Sequence, residues 1–137
     1  MSEFAVFDTS VLIDQLRTNR HALRIGSLDL PVRNSSVVIA ELRRGAVDPK
    51  EAKLVSEMEK NHAILTPTAN NWLESGVILA KIRDGQGFES RKLRELHFDV
   101  LIALTARSYG ARVITSNRTD FELIREYRKF ELEVWKM

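Results

Sequence analysis

The sequence predicts an α/β domain in which a parallel sheet is covered by helices on both faces. Two observations carry this expectation. Short apolar runs, such as Phe4–Phe7 and Arg112–Thr115, alternate with longer stretches whose apolar residues recur at helical spacing, the pattern of repeated strand–helix units. The 137 residues contain no internal repeat, low-complexity tract or linker, so residues 1–137 read as one domain.

In chain order, Phe4 to Phe7 reads as a short buried strand, and residues 10–18 as a helix with Val11, Leu12 and Leu16 apolar. Residues 19–34 suit a short helix and a loop. Ser35 to Val38 is a second candidate strand, followed by a helix through Glu41 to about Gly45. Asp48, Pro49 and Glu51 announce the next helix: a capping acid, a proline at the first helical position, and a glutamate that completes a capping box. Leu54, Val55 and Met58 form its apolar stripe. Ala63 to Leu65 is a third strand. Pro67 and Thr68 open a helix with Trp72, Gly76, Leu79 and Ala80 on one face, and residues 84–90 (DGQGFES) read as loop. A long helix is expected over about 97–109, closed by Gly110. A strand over 112–115, a short helix over about 119–128 and a last strand over 132–135 complete the pattern.

Composition narrows the function classes. Hydrophobic residues are 44% and charged residues 29%, a normal globular balance that can bury a core at this length. The absence of cysteine excludes a disulfide framework, a thiolate metal site and a cysteine nucleophile. No apolar stretch approaches the roughly 18–20 residues that span a bilayer, and MSEFAVFDTS has no basic region before an apolar run. A cytoplasmic protein without a membrane segment is therefore expected. The formal charge is +2 and the pI about 9.1. The basic residues are bunched: Arg43–Arg44, then Arg91, Lys92 and Arg94, then Arg125, Arg128 and Lys129. Such bunches suit a phosphate-rich partner or an ordinary solvated face.

Four acids sit where chemistry is expected. Asp8 directly follows the strand FAVF; Glu41 follows SVVIA; Asp99 lies near the start of the expected helix HFDVLIALTA; Asp120 follows the strand RVITS by a few residues. Parallel strands gather their carboxyl ends on one edge of a sheet, so these carboxylates converge if the fold is right. Like charges held close repel, and a hard divalent cation removes the conflict. Mg²⁺ or Mn²⁺ prefers carboxylates and water, and such an ion can polarise a phosphoryl oxygen and generate hydroxide from water. Each acid also has an ordinary reading: Asp8 as a helix cap, Glu41 as an exposed helix residue, Asp99 as an acid favoured by a helix dipole, and Asp120 as a capping acid.

Together the blocks FAVFDTSVLI (4–13), SSVVIAELRRGA (35–46) and FDVLIALTARSYGARVITSNRTDF (98–121) resemble PIN-domain nucleases, and most closely VapC-type toxins of toxin–antitoxin pairs. The resemblance implies a three-layer α/β/α sandwich with a central parallel sheet. It assigns Asp8, Glu41 and Asp99 to the three acids that bind Mg²⁺ or Mn²⁺, and leaves open whether Asn117 or Asp120 completes the site. Ser10 and Thr115 match supporting hydroxyls, and Thr9 a small hydroxyl residue beside the first acid. The implied activity is endonucleolytic hydrolysis of RNA by metal-activated water, leaving 5′-phosphate and 3′-hydroxyl ends. The implied partners are RNA, a cognate antitoxin and a second copy of the chain.

Arg43 and Arg44 are candidates for contact with RNA or antitoxin, as are Arg17, Arg91, Lys92 and Arg94 with less force. His21, His62 and His97 match no motif, and His97 is expected at a helix start. Trp72 and Trp135 suit core or dimer contacts, and the helices within 47–83 suit a substrate clamp or a dimer interface. Three alternatives stand beside this reading: a PIN nuclease of RNA maturation, a phosphoacceptor signalling domain and a non-catalytic protein-binding PIN fold. The phosphoacceptor class requires an acid pair near the first strand, an Asp after a central strand and a later lysine; here the central strand SSVV leads to Glu41, and no lysine follows the last motif at a strand end.

Overall fold

The computed structural model describes residues 2–61 and 63–136. In chain order the elements are β1 (Phe4–Phe7), α1 (Thr9–Thr18), α2 (Ala22–Gly26), β2 (Asn34–Ser35), α3 (Ser36–Gly45), α4 (Pro49–Asn61), β3 (Ile64–Leu65), α5 (Ala69–Gln86), α6 (Ser90–Ser108), β4 (Ala111–Thr115), α7 (Arg118–Tyr127) and β5 (Leu132–Val134). All strand pairings among these elements are parallel: β1 with β4, β4 with β5, and β2 with β3. A bridge between Ala5 and Val32, with hydrogen bonds from the Ala5 N–H to the Pro31 carbonyl and from the Arg33 N–H to the Ala5 carbonyl, ties the smaller sheet to β1.

The sheet separates two cores because successive strand residues point to opposite faces. Ala5, Phe7 and Ile114 join Val11 and Trp135 on one side, with Ile25, Leu28 and Leu30 packed beside them. Val6, Ala111 and Val113 face the other side, where buried residues of α3, α5, α6 and α7 form the larger core. The expected three-layer arrangement on a parallel sheet is therefore present. No helix among the described residues is long and apolar enough to cross a membrane.

Several local expectations are corrected. Residues 36–38 are helical, not extended. The SVVI run favours a strand by side-chain type, but Ser35 caps the helix by accepting from the Val37 N–H at 3.2 Å, and helical turns bury Val37, Val38, Ile39 and Leu42 together. At α4, Asp48 Oδ1 accepts from the Glu51 N–H at 2.8 Å. Glu51, however, reaches the Val47 N–H at 3.3 Å, one residue earlier than a capping box requires. On α5 the buried face is Asn71, Ser75, Ile78 and Ile82, whereas Trp72, Leu73 and Val77 are exposed; polar Asn71 and Ser75 concealed that face in the sequence.

The segment 84–90 is not a loop throughout: α5 runs on to Gln86 and stops at Gly87, whose φ of 68° is the left-handed cap that glycine adopts without strain. Gly85, within the helix, leaves room for the Tyr127 hydroxyl, whose Oη would lie 2.7 Å from a Cβ there. The long helix begins at Ser90 instead of 97. Its first turns, SRKLREL, consist largely of good helix formers and carry Leu96 into the core, yet their charge masked the period. His97 and Asp99 consequently lie in the middle of α6, which removes the helix-dipole explanation for Asp99. Gly110, at φ 70°, ends this segment as expected.

Candidate active site

The site lies at the carboxyl ends of β1 and β4. Asp8 is the first residue beyond β1, and its N–H donates to the Ile114 carbonyl at 2.9 Å. It occupies the N-cap position of α1 yet forms no capping hydrogen bond. Its buried carboxylate instead accepts from Ser10 Oγ at 2.7 Å and Thr115 Oγ1 at 2.8 Å, both on Oδ2. Those hydroxyls are themselves fixed: Ser10 Oγ accepts from the Ser116 N–H at 3.1 Å, and Thr115 Oγ1 from the Asn117 N–H at 2.9 Å. Ser10 and Thr115 thus both donate to one oxygen of the first acid.

Glu41 extends from α3, where Thr9 Oγ1 donates to its Oε1 at 2.8 Å. Asp99 extends from the middle of α6 and has no hydrogen-bond partner among the described residues. Asp120 stands in the first turn of α7. Its carboxylate takes both oxygens to Lys92 Nζ, at 3.0 and 3.1 Å, and accepts from Asn117 Nδ2 at 3.0 Å. Asn117 Oδ1 also caps α7 by accepting from the Asp120 N–H at 3.3 Å.

Electrostatics register the convergence. The Asp99 carboxyl is pushed up to about 8, first by burial and then by the charges of Asp8, Glu41 and Asp120, with Lys92 opposing. Burial likewise raises Asp8, against the hydroxyls of Ser10 and Thr115. Burial raises Glu41 too, with Asp8 adding to it and Thr9 and Arg44 opposing. Glu41 and Asp99 thus sense Asp8 across long chain separations. Asp8, Glu41 and Asp99 make no salt bridge with lysine or arginine among the described residues. Among the same residues, no three acidic or histidine side chains form a ready-made ion-binding set. The donors nevertheless fit a hard divalent cation: all are carboxylate oxygens, one carboxylate lacks any donor, and mutual repulsion is relieved by a positive ion.

The basic candidates separate. Arg43 is engaged with α4, donating to the Ala52 carbonyl at 3.3 Å, Ser56 Oγ at 3.2 Å and Glu59 Oε1 at 2.9 Å. Arg44 lies 5.4 Å from the Phe98 ring centre and lines a groove with Glu41, Arg91, Arg94, Glu95 and Phe98. His21 pairs with Asp14 at 2.8 Å and contacts Trp135, which makes it structural. His97 Nε2 meets Ser75 Oγ at 3.1 Å, away from the acids' hydrogen bonds. His62 lies outside the described residues. The feature that sequence reasoning missed is the pairing of Lys92 with Asp120; the seven-residue spacing from Lys92 to Asp99, two helical turns, was its only trace.

Comparison with known proteins places the fold. Among solved structures, the chain superimposes on one of a DNA-bound VapBC from Salmonella typhimurium with a TM-score of 0.73 and 24% identity, covering 98% of this chain and 99% of that one. A VapBC-1 structure from nontypeable Haemophilus influenzae gives 0.70 at 22% identity, covering 96% and 98%. FitAcB from Neisseria gonorrhoeae gives 0.62 at 20% identity, covering 94% and 96%. Comparison of the sequence with curated proteins gave no match. The PIN domain family model matches residues 5–127, which include every acid of the site, and with that extent of agreement the chain belongs to the PIN-domain family.

Proposed function

We propose that this PIN domain is a metal-dependent endoribonuclease and the toxin of a type II toxin–antitoxin pair. The observation that carries the reading is the gathering of the buried or half-buried carboxyls of Asp8, Glu41 and Asp99 in one place, each raised first by burial, with the Asp8 charge reaching both of the others. A protein gains nothing in stability from crowding unpaired carboxylates, so their assembly indicates a cationic ligand.

Asp8, Glu41 and Asp99 are the residues that would hold Mg²⁺ or Mn²⁺. Such an ion supplies Lewis acidity toward a phosphoryl oxygen and lowers the pKa of water. The chain supplies the rest. Ser10 and Thr115 lock the Asp8 carboxylate in one rotamer, and Thr9 does the same for Glu41. Arg44 and Arg94, with Arg91 paired to Glu95 at 3.6 Å, line a groove beside Glu41 in which arginines outnumber acids, which suits an RNA backbone. Arg43 serves the contact between α3 and α4 and is withdrawn from that role.

The VapBC relatives support a cognate antitoxin as partner, encoded beside this chain. The exposed Trp72, Leu73 and Val77 on α5, at 52%, 73% and 55% accessibility, support a homodimer through that helix, because an apolar stripe of this kind is costly to leave in water.

The test is purified protein on total RNA with Mn²⁺, Mg²⁺ or EDTA, with cut sites and end groups mapped. Metal-dependent cuts leaving 5′-phosphate and 3′-hydroxyl ends are expected. Ends bearing 2′,3′-cyclic phosphate, or cleavage that persists in EDTA, refute the mechanism.

A further inference from the structure

Two of the acids at this site are treated very differently by their surroundings. Asp99 has no hydrogen-bond donor among the described residues, whereas Asp120 has two donors making three contacts: Lys92 Nζ to both oxygens at 3.0 and 3.1 Å, and Asn117 Nδ2 at 3.0 Å. A carboxylate offers about four lone-pair directions, so Asp120 is nearly saturated, and its two oxygens already share one cation. Its side chain is 17% exposed and that of Lys92 33%, so the pair sits at the rim of the acid cluster rather than out on the surface.

Lys92 is placed for more than this pairing. It lies two helical turns before Asp99 on α6, on the same face, and its charge reaches Asp99. An ammonium carries three donors. Two contacts are spent on Asp120, and no other oxygen among the described residues accepts from Nζ. The face of the Phe88 ring lies 6.0 Å from Nζ, a weak cation–π contact. Arg44, by contrast, acts on Glu41, whose carboxyl its charge lowers. A phosphodiester that reaches the acids would therefore find cations beside both Asp99 and Glu41.

We propose that Lys92 binds a phosphate oxygen of the substrate at this site, and that Asp120, itself steadied by Asn117, positions Lys92 instead of ligating the ion. The proposal rests on the nuclease reading for its substrate, but its claim about Asp120 stands on the hydrogen bonds alone.

Two measurements test it. Free Mn²⁺ is titrated by electron paramagnetic resonance against wild type, Asp99→Asn, Asp120→Asn and Lys92→Gln, each checked for folding by circular dichroism. Asp99→Asn weakens Mn²⁺ by tenfold or more; Asp120→Asn and Lys92→Gln, which change only a part-exposed charge at a distance from the ion, stay within about threefold of wild type. Single-turnover cleavage of a single-stranded oligoribonucleotide is then followed against salt. Lys92→Gln lowers kcat/KM by about 10- to 100-fold, the range for one charged hydrogen bond, and reduces the salt slope by about one. Lys92→Arg restores most of the activity, and Asp120→Asn causes little additional loss in the Lys92→Gln background. An Asp120→Asn variant that loses Mn²⁺ as severely as Asp99→Asn overturns the proposal, as does a Lys92→Gln variant with wild-type kcat/KM. A wild-type chain that binds Mn²⁺ but leaves every RNA intact overturns the nuclease reading and the substrate role of Lys92 with it, while the Mn²⁺ titrations still decide whether Asp120 is a ligand.

Discussion

Replacing Asp99 with asparagine should make the metal-free protein more stable at alkaline pH while abolishing cleavage. The carboxyl titrates at about 8 in the folded chain against an ordinary value of 3.8. The folded state therefore holds this proton more tightly than the unfolded chain does. Stability from this group is highest below pH 4, falls as pH rises between the two values, and is lowest above about 8. At about 1.4 kcal/mol for each decade, the gap sets an upper limit of about 6 kcal/mol. Asp99 is partly open to solvent, which screens its repulsion from Asp8, Glu41 and Asp120, so about 1–3 kcal/mol is the expected gain. Asparagine keeps the shape and carries no charge. The assay is urea unfolding in EDTA at pH 5 and pH 8.5, followed by tryptophan fluorescence. The variant should exceed wild type by more at pH 8.5 than at pH 5, and addition of Mn²⁺ should stabilise wild type but not the variant. A variant equally destabilised at both pH values would show that Asp99 is an ordinary structural residue, and the reasoning would fail.

Other outcomes follow from the same geometry. Mn²⁺ affinity should strengthen as pH rises toward about 8 and level off above it, because the ion competes with the Asp99 proton; calorimetric titration at several pH values reads this, and a flat profile contradicts it. Arg44→Ala should raise KM for RNA several-fold with little change in thermal stability, whereas Arg43→Ala should lower stability by about 0.5–1 kcal/mol and leave RNA binding intact; calorimetric melting and fluorescence anisotropy separate them. Ser35→Ala removes the cap of α3 and should cost about 1 kcal/mol in chemical denaturation without altering Mn²⁺ affinity.

The expected placement of Asp8 succeeded because a short apolar strand followed by an acid needs no tertiary information: the strand pattern is local and the carboxyl-edge rule for parallel sheets supplies the rest. The same logic located Asp120 beyond β4. Expectations failed where local preference and packing disagreed. Ser36 to Val38 has strand-forming side chains but lies in a helix, since the gain from burying Val37, Val38 and Leu42 against the core exceeds a propensity difference of a few tenths of a kcal/mol. The first turns of α6 are charged on most sides, so their membership in a helix only becomes evident once Leu96 is seen in the core.

The amino-acid order alone determined the alternation of strands and helices, the lack of any thiol chemistry, the family resemblance, and the position of Asp8 at the end of the first strand. Tertiary structure decided how those acids differ. It left Asp99 without a donor and gave Asp120 a lysine, it turned Arg43 toward α4 and Arg44 toward the groove, and it brought Trp72 to the surface of α5. The physical reason is that a strand's end and a helix's period are set by neighbours in the chain, whereas a carboxylate's charge state and partners depend on whatever groups the fold brings within a few ångströms, from any distance along the sequence.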